Sequence, residues 1–186
     1  MVELIFIIVI IGILASVAIP KLTGVTDGAK KSAEIATISA VATALDSANG
    51  EWSINEGNFK WGRNRPSSEL NSVGYPTTLG SDDKHPFDYV IKKSNKFVKR
   101  QSGSDINISI FTGPASDPAN GVKYDTSAPN NDIPNKPDKN DFWVYVFGIG
   151  VDDNCTINGK VLQLGDLSLI DVNGTSATNY SSVVCN

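Results

Sequence analysis

The residue with the strongest invitation to chemistry is Glu3. It opens a run, residues 4–19, in which every side chain is apolar or small and Ser16 is the only polar one. A carboxylate at the edge of a bilayer-length apolar run costs roughly 2.5–3.5 kcal/mol when it lies deep. It is therefore either solvated at an interface or paired with a cation. No Lys or Arg lies within the first twenty residues, so a pairing cation must be an N-terminal amine or belong to another chain. Two cysteines, Cys155 and Cys185, are far from this segment. An even count suits one disulfide in an oxidising compartment. Closing a loop of about 30 residues would contribute roughly 3–4 kcal/mol in the chain-entropy account.

Other reactive groups lack partners in sequence. His85 is the only histidine and precedes Pro86 in loop-like surroundings; a catalytic histidine would want an orienting partner. Gly148-Ile149-Gly150 lacks the third glycine of a dinucleotide loop and suits a strand end or bulge. Asp152, Asp153 and Asn154 lack the glycine and terminal glutamate of a calcium loop. No Cys-x-x-Cys or His-rich spacing suggests zinc. No metal, cofactor or enzyme activity is expected. Net charge is -4 with no long basic run, a poor basis for nucleic-acid binding.

One polar pattern repeats. Asp105-Ile106-Asn107-Ile108-Ser109, Asp152-Asp153-Asn154-Cys155-Thr156 and Asp171-Val172-Asn173-Gly174-Thr175 all read acidic-x-Asn-x-Ser/Thr. Asn173 and Asn179 also fit the shorter Asn-x-Ser/Thr acceptor rule. The pattern resembles the extended acceptor of bacterial oligosaccharyltransferases, which makes Asn107, Asn154 and Asn173 candidate glycosylation sites. Turn chemistry alone also favours these residue types.

The element carrying Glu3 must be a helix. A secretory signal would want a basic flank, but the basic residues Lys21, Lys30 and Lys31 lie on the other side. A plain membrane anchor fits the length. A buried core helix fits poorly, since the apolar character runs all round rather than along one stripe. Gly12 lies mid-run and Pro20 ends it. Gly costs about 1 kcal/mol and Pro about 3 kcal/mol relative to Ala in a helix interior, so residues 12–20 form a stretch where the helix can loosen, kink or end.

Residues 1–22, with Glu3, Gly12 and Pro20 in matching register, resemble the N-terminus of type IV pilins and pseudopilins. The likeness covers about the first 30 residues and is nearest a type IVa major pilin. It implies an inner-membrane pool, assembly into a helical fibre, and Glu3 pairing with the N-terminal amine of a neighbouring copy. It further implies a prepilin peptidase and a pilus assembly machinery as partners, and methylation of the first mature residue. In that family the glutamate lies four residues after this methylated residue, whereas two residues precede Glu3 here. The numbering thus departs from the family by the leader and the first two mature residues.

Beyond Pro20 the helical pattern resumes. Ile35, Ile38, Val41, Ala42, Leu45, Ala48 and Trp52 recur at spacings of three and four, and Asp27 with Lys31 forms an i, i+4 acid–base pair. A helix is expected to about Glu51. Residues 53–85 read as loop, with Trp52, Phe59 and Trp61 as packing residues. Residues 87–91, 96–100 and 106–111 read as strands. Residues 113–140 hold five of the nine prolines and read as an irregular loop. Residues 141–151 form the best strand, apolar on both faces and therefore central. Residues 160–164 and 167–172, separated by Gly165-Asp166, read as a hairpin.

The expectation is an α+β fold: a helix over residues 1–52, serving as membrane anchor and then filament core, laid against an antiparallel sheet head over 53–186 with a disulfide-bounded C-terminal region. This is the architecture that the pilin resemblance implies. The expected function is that of a major pilin in an extracellular fibre for adhesion, motility or surface attachment. The competing expectation, a major pseudopilin of a type II secretion system, shares the N-terminus.

Overall fold

A computed structural model describes residues 2–55, 59–92, 96–100, 107–116, 136–148 and 155–172. One helix, α1, runs unbroken over Val2–Asn55 with Pro20 inside it. At about 1.5 Å per residue it is about 80 Å long. It is long and apolar enough to cross a membrane. Its two halves face different surroundings. The described large apolar side chains from Val2 to Val25 are 52–69% exposed. From Glu34 onward the pattern changes to a single buried stripe, Glu34, Ile38, Val41, Leu45 and Ala48. The alternating steps of four and three keep those side chains on one face.

The rest of the described chain is built from short strands. β1 (Lys60–Trp61) and β2 (Arg65–Pro66) form a two-stranded ribbon, followed by a 3-10 turn over Ser67–Glu69. β3 (Val98–Lys99), β4 (Ile108–Thr112) and β5 (Phe142–Val146) enter an antiparallel sheet. β6 (Cys155–Ile157) and β7 (Lys160–Leu162) form a second ribbon, and β8 (Leu167–Ile170) returns to the sheet. The sheet order is β3-β4-β5-β8. The layout is α+β, with the long helix first and antiparallel sheets after it.

β5 lies inside the sheet and all five of its residues are buried. Successive side chains of a strand point to opposite faces, so its sequence Phe-Trp-Val-Tyr-Val serves two cores. Phe142, Val144 and Val146 pack with Ile108, Ile110 and Ile170, and with Cys155, Ile157 and Leu162 of the β6–β7 ribbon. Trp143 and Tyr145 pack on the other side with Ile38, Val41 and Leu45 of α1 and with Phe87, Phe97 and Phe111. The Phe87 ring sits 5.1 Å from Phe97 and 4.7 Å from Phe111, centroid to centroid.

Several sequence expectations are corrected. Residues 87–91 form turns rather than a strand: Val90 and Ile91 both donate backbone N–H to the Phe87 carbonyl, at 3.0 and 2.9 Å. Their apolar character fills the helix-side core instead of a ladder. Residues 160–164 and 167–172 do not make a hairpin with each other. β7 pairs with β6 across Asn158-Gly159, both at positive φ (48° and 77°), and β8 pairs with β5. The Gly165-Asp166 turn is instead bonded to the end of β5, with Gly165 N–H to the Val146 carbonyl at 2.8 Å and Val146 N–H to the Asp166 carbonyl at 3.0 Å. The helix extends through Asn49 and Gly50 to Asn55, past Glu51. Asp27 pairs with Lys30 at 3.6 Å, while Lys31 turns to Asp138 at 3.9 Å.

The contrast between the halves of α1 is measurable. Leu45 is 1% exposed, so Leu45→Ala should destabilise the head by about 2–5 kcal/mol. Ile10→Ala, at a side chain 54% exposed, should leave the unfolding midpoint of the detergent-solubilised subunit unchanged. Equal losses at the two positions in denaturant unfolding would contradict the two-environment helix.

Candidate assembly surface and docking site

Glu3 lies in the first turn of α1 and is exposed. The partial positive charge of a helix N-terminus favours a carboxylate there. It makes no ion pair within the described residues. Gly12 has open space where a Cβ would stand, so a Cβ there would meet nothing among the described residues. Pro20 cannot donate the hydrogen bond that a helix interior expects from it, yet the helix continues. Near Gly12, the Ser16 hydroxyl donates to the Ile13 carbonyl at 2.7 Å, a back-bond that accompanies helix bending.

The most elaborate polar site of the described chain was not foreseen. Glu34, fully buried, projects from the docked face of α1 into the head. Its Oε2 accepts backbone N–H bonds from Ala115 (2.7 Å) and Ser116 (3.2 Å). Its Oε1 accepts from the Ser116 hydroxyl (2.6 Å) and the Trp143 indole Nε1 (2.7 Å). Four donors thus satisfy a charge that would otherwise be costly to bury. The Ser116 hydroxyl oxygen in turn accepts from Gly113 N–H at 2.9 Å. Gly113 comes so near that a Cβ would collide with the Glu34 carboxylate, so the turn after β4 needs glycine for close approach. The site joins α1, the β4 exit and the central strand.

Asp141, just before the central strand, is a second buried acidic group. It accepts N–H bonds from Val172 (3.0 Å) and Asp138 (2.9 Å). Burial pushes its carboxyl up to about 7, helped by the charges of Asp138 and Asp171, although the two backbone bonds act against the rise. No group of His, Cys, Asp or Glu among the described residues is placed to hold a metal ion. Between α1 and the head runs a groove of about 570 Å³ lined by Gly24, Gly28, Lys31, Pro114, Lys136 and Lys139, among others.

His85 does have a partner. Its Nδ1 lies 2.9 Å from Asp82 Oδ1, which also accepts the backbone N–H of Lys84 and His85, each at 2.8 Å. The His85 bond holds the Asp82 carboxyl below the usual carboxylate range. Both side chains are exposed and no nucleophile among the described residues hydrogen-bonds to the pair, so the arrangement clasps a turn. Asn107 is half-buried, with Oδ1 against Gly148, and its carbonyl accepts from Phe147 and Gly148 at 2.9 and 3.0 Å. A glycan on this side chain would have to fit around that contact. Cys155 is fully buried and disulfide-bonded. Cys185, Asn154 and Asn173 lie outside the described residues, as do Asp152, Asp153, Ile149 and Gly150.

Compared with known proteins, the chain matches no family model, no curated protein and no solved structure.

Two measurements check the site. Glu34→Ala would strand the Trp143 indole and the Ala115 and Ser116 donors in a buried space, and should cost at least about 3 kcal/mol in denaturant unfolding; a loss below about 1 kcal/mol would show that the carboxylate does not hold the seam. The Asp141 carboxyl titrates near 7 when folded, against an ordinary 3.8. The folded chain therefore takes up a proton as pH falls through 7, whereas the unfolded chain waits until about 4. This group favours folding progressively as pH falls across that window, and its contribution is lost as pH rises through 7. Asp141→Asn should flatten that part of the stability profile between pH 4 and 7; an unchanged slope would assign it elsewhere.

Proposed function

We propose that the chain is the subunit of a helical surface filament, held in a membrane by the first half of α1 before assembly. The observation that carries this reading is the division of one continuous helix. Its second half is covered along one stripe by its own head, and its first half is apolar on every side through Ile19 and is covered by nothing among the described residues. Such a surface does not persist in water. A bilayer covers it all round, and outside a bilayer copies of the same helix do so. A head-to-tail contact between copies that does not close on itself produces an open fibre. The N-terminal resemblance to type IV pilins points the same way, and the α+β layout of the head is compatible with the pilin fold.

In this reading Glu3 is the registration point. It is a carboxylate beside an apolar surface with no cation of its own within the described residues, and the amino terminus of a neighbouring copy supplies the opposite charge. Pairing satisfies both groups at once and fixes the axial offset between copies. Electron microscopy of sheared surface material tests the filament directly. Glu3→Ala should leave the protein in the membrane fraction while reducing or abolishing fibres, because insertion rests on apolar area and assembly on the charge. Fibres in normal number from that variant would sink the role given to Glu3, and the absence of fibres from the unaltered protein would sink the filament.

A further inference from the structure

The residues lining the groove between α1 and the head carry a charge opposite in sign to that of the chain as a whole. The chain as a whole carries a net charge of -4. The groove is lined by Lys30, Lys31, Lys136 and Lys139 against two carboxylates, Asp27 and Asp138. Those carboxylates are engaged, Asp27 with Lys30 and Asp138 with Lys31. Lys136 and Lys139 make no ion pair within the described residues, so the lining side chains hold an excess of positive charge, while the Glu34 and Asp141 carboxylates behind them are buried and already hydrogen-bonded. Lys136 is exposed and Lys139 half-buried. The space is about 570 Å³, enough for a charged group with part of its attached chain.

Its height along the helix matters as much as its charge. About 20 residues of helix cross the roughly 30 Å hydrocarbon core of a bilayer. If Val2 begins the span, it ends near Lys21. The headgroup layer adds roughly 5–8 Å on each side. Gly24, at the lower end of the groove, stands about 5 Å above Lys21, and Lys31 about 15 Å above it. The groove thus opens at headgroup level, and lysine side chains can reach down to it along their apolar stems.

We propose that this groove seats the phosphate of an anionic phospholipid headgroup while the subunit waits in the membrane, with Lys136 and Lys139 supplying the charge that α1 does not. The proposal rests on the membrane reading above. Lipid bound here braces the underside of the head against the bilayer, and leaving the bilayer for a fibre requires giving it up.

The test uses the full-length chain reconstituted in bilayers of equimolar phosphatidylglycerol and phosphatidylcholine, with retained lipid identified by native mass spectrometry. Phosphatidylglycerol should be enriched roughly thirtyfold, as expected for two lysines near a membrane surface. The enrichment should fall towards parity in the Lys136→Gln/Lys139→Gln variant. A control variant, Lys84→Gln/Lys92→Gln, removes the same charge from exposed positions outside the groove and should keep the preference; equal loss in both variants would reduce the effect to net charge and overturn the site. Inorganic phosphate at matched ionic strength should not displace the lipid, and displacement would make a free anion the ligand and overturn the assignment to lipid. Entry into bilayers without enrichment would overturn this proposal alone. Failure to enter the bilayer would overturn the membrane reading with it.

Discussion

A carboxylate enters a protein interior only where donors converge on it, and the docking of this helix depends on one such convergence. Glu34 draws hydrogen bonds from a turn after β4 and from the central strand. Apolar contacts along Ile38, Val41 and Leu45 are non-directional and would tolerate a small slide or rotation of α1. The Glu34 bonds would not, since a shift of one residue turns the side chain by about 100° and leaves the donors unsatisfied. Apolar burial supplies the affinity of helix for head, and the carboxylate fixes its register. The requirement spreads outward from there. Gly113 must lack a Cβ, the β4 exit must present two successive N–H groups, and Trp143 must face the helix.

Trp143 can face the helix because the sheet divides two cores. β5 is apolar at every residue and gives alternate side chains to each side. On one side it meets α1; on the other, the β6–β7 ribbon with the disulfide-bonded Cys155. Neither cover suffices alone, because an open sheet face would expose either Phe142 and Val144 or Trp143 and Tyr145. Further bonds sew the layers together. Tyr145 donates its hydroxyl to the Pro76 carbonyl at 2.7 Å, Asn71 donates to the Phe147 carbonyl at 2.7 Å, and Asn49 of the helix donates to the Val73 carbonyl at 2.7 Å. Burial also places the Tyr145 hydroxyl far above the ordinary tyrosine range, so it remains a donor at any physiological pH.

Much of this architecture was legible from pattern. The long helix, the interior position of β5 and its two-faced side chains follow from periodicity and composition. Glu34 was not seen because a stripe is sought among apolar residues, yet the signal was present. Glu34 falls in phase with Ile38, Val41, Leu45 and Ala48, and a charged residue on a buried stripe asks for donors. The hairpin was misplaced for a similar reason. Asn158-Gly159 is the stronger two-residue turn, since both residues tolerate positive φ, whereas Gly165-Asp166 only resembled one. Residues 87–91 have strand composition, but Pro86 lies at their start and their backbone bonds close locally. Lys31 obeyed a distant partner over the local pairing rule because Asp138, on the head, faces it. The purpose of Glu3 is the least legible, since no cation among the described residues answers it.

The tryptophans have a consequence of their own. Of three in the chain, two sit on the seam between helix and head, toward opposite ends. Trp143 is bonded to Glu34 at the end of the seam nearer the helix N-terminus. The Trp52 ring rests where Gly74 leaves room for it, about 27 Å further along the helix. An indole bonded to a buried carboxylate and an indole stacked on a bare glycine emit light in different surroundings. If the head peels away from its helix, one of these two chromophores is disturbed before the other. The molecule therefore carries an intrinsic optical gauge that would report the direction in which the seam opens, with no added label.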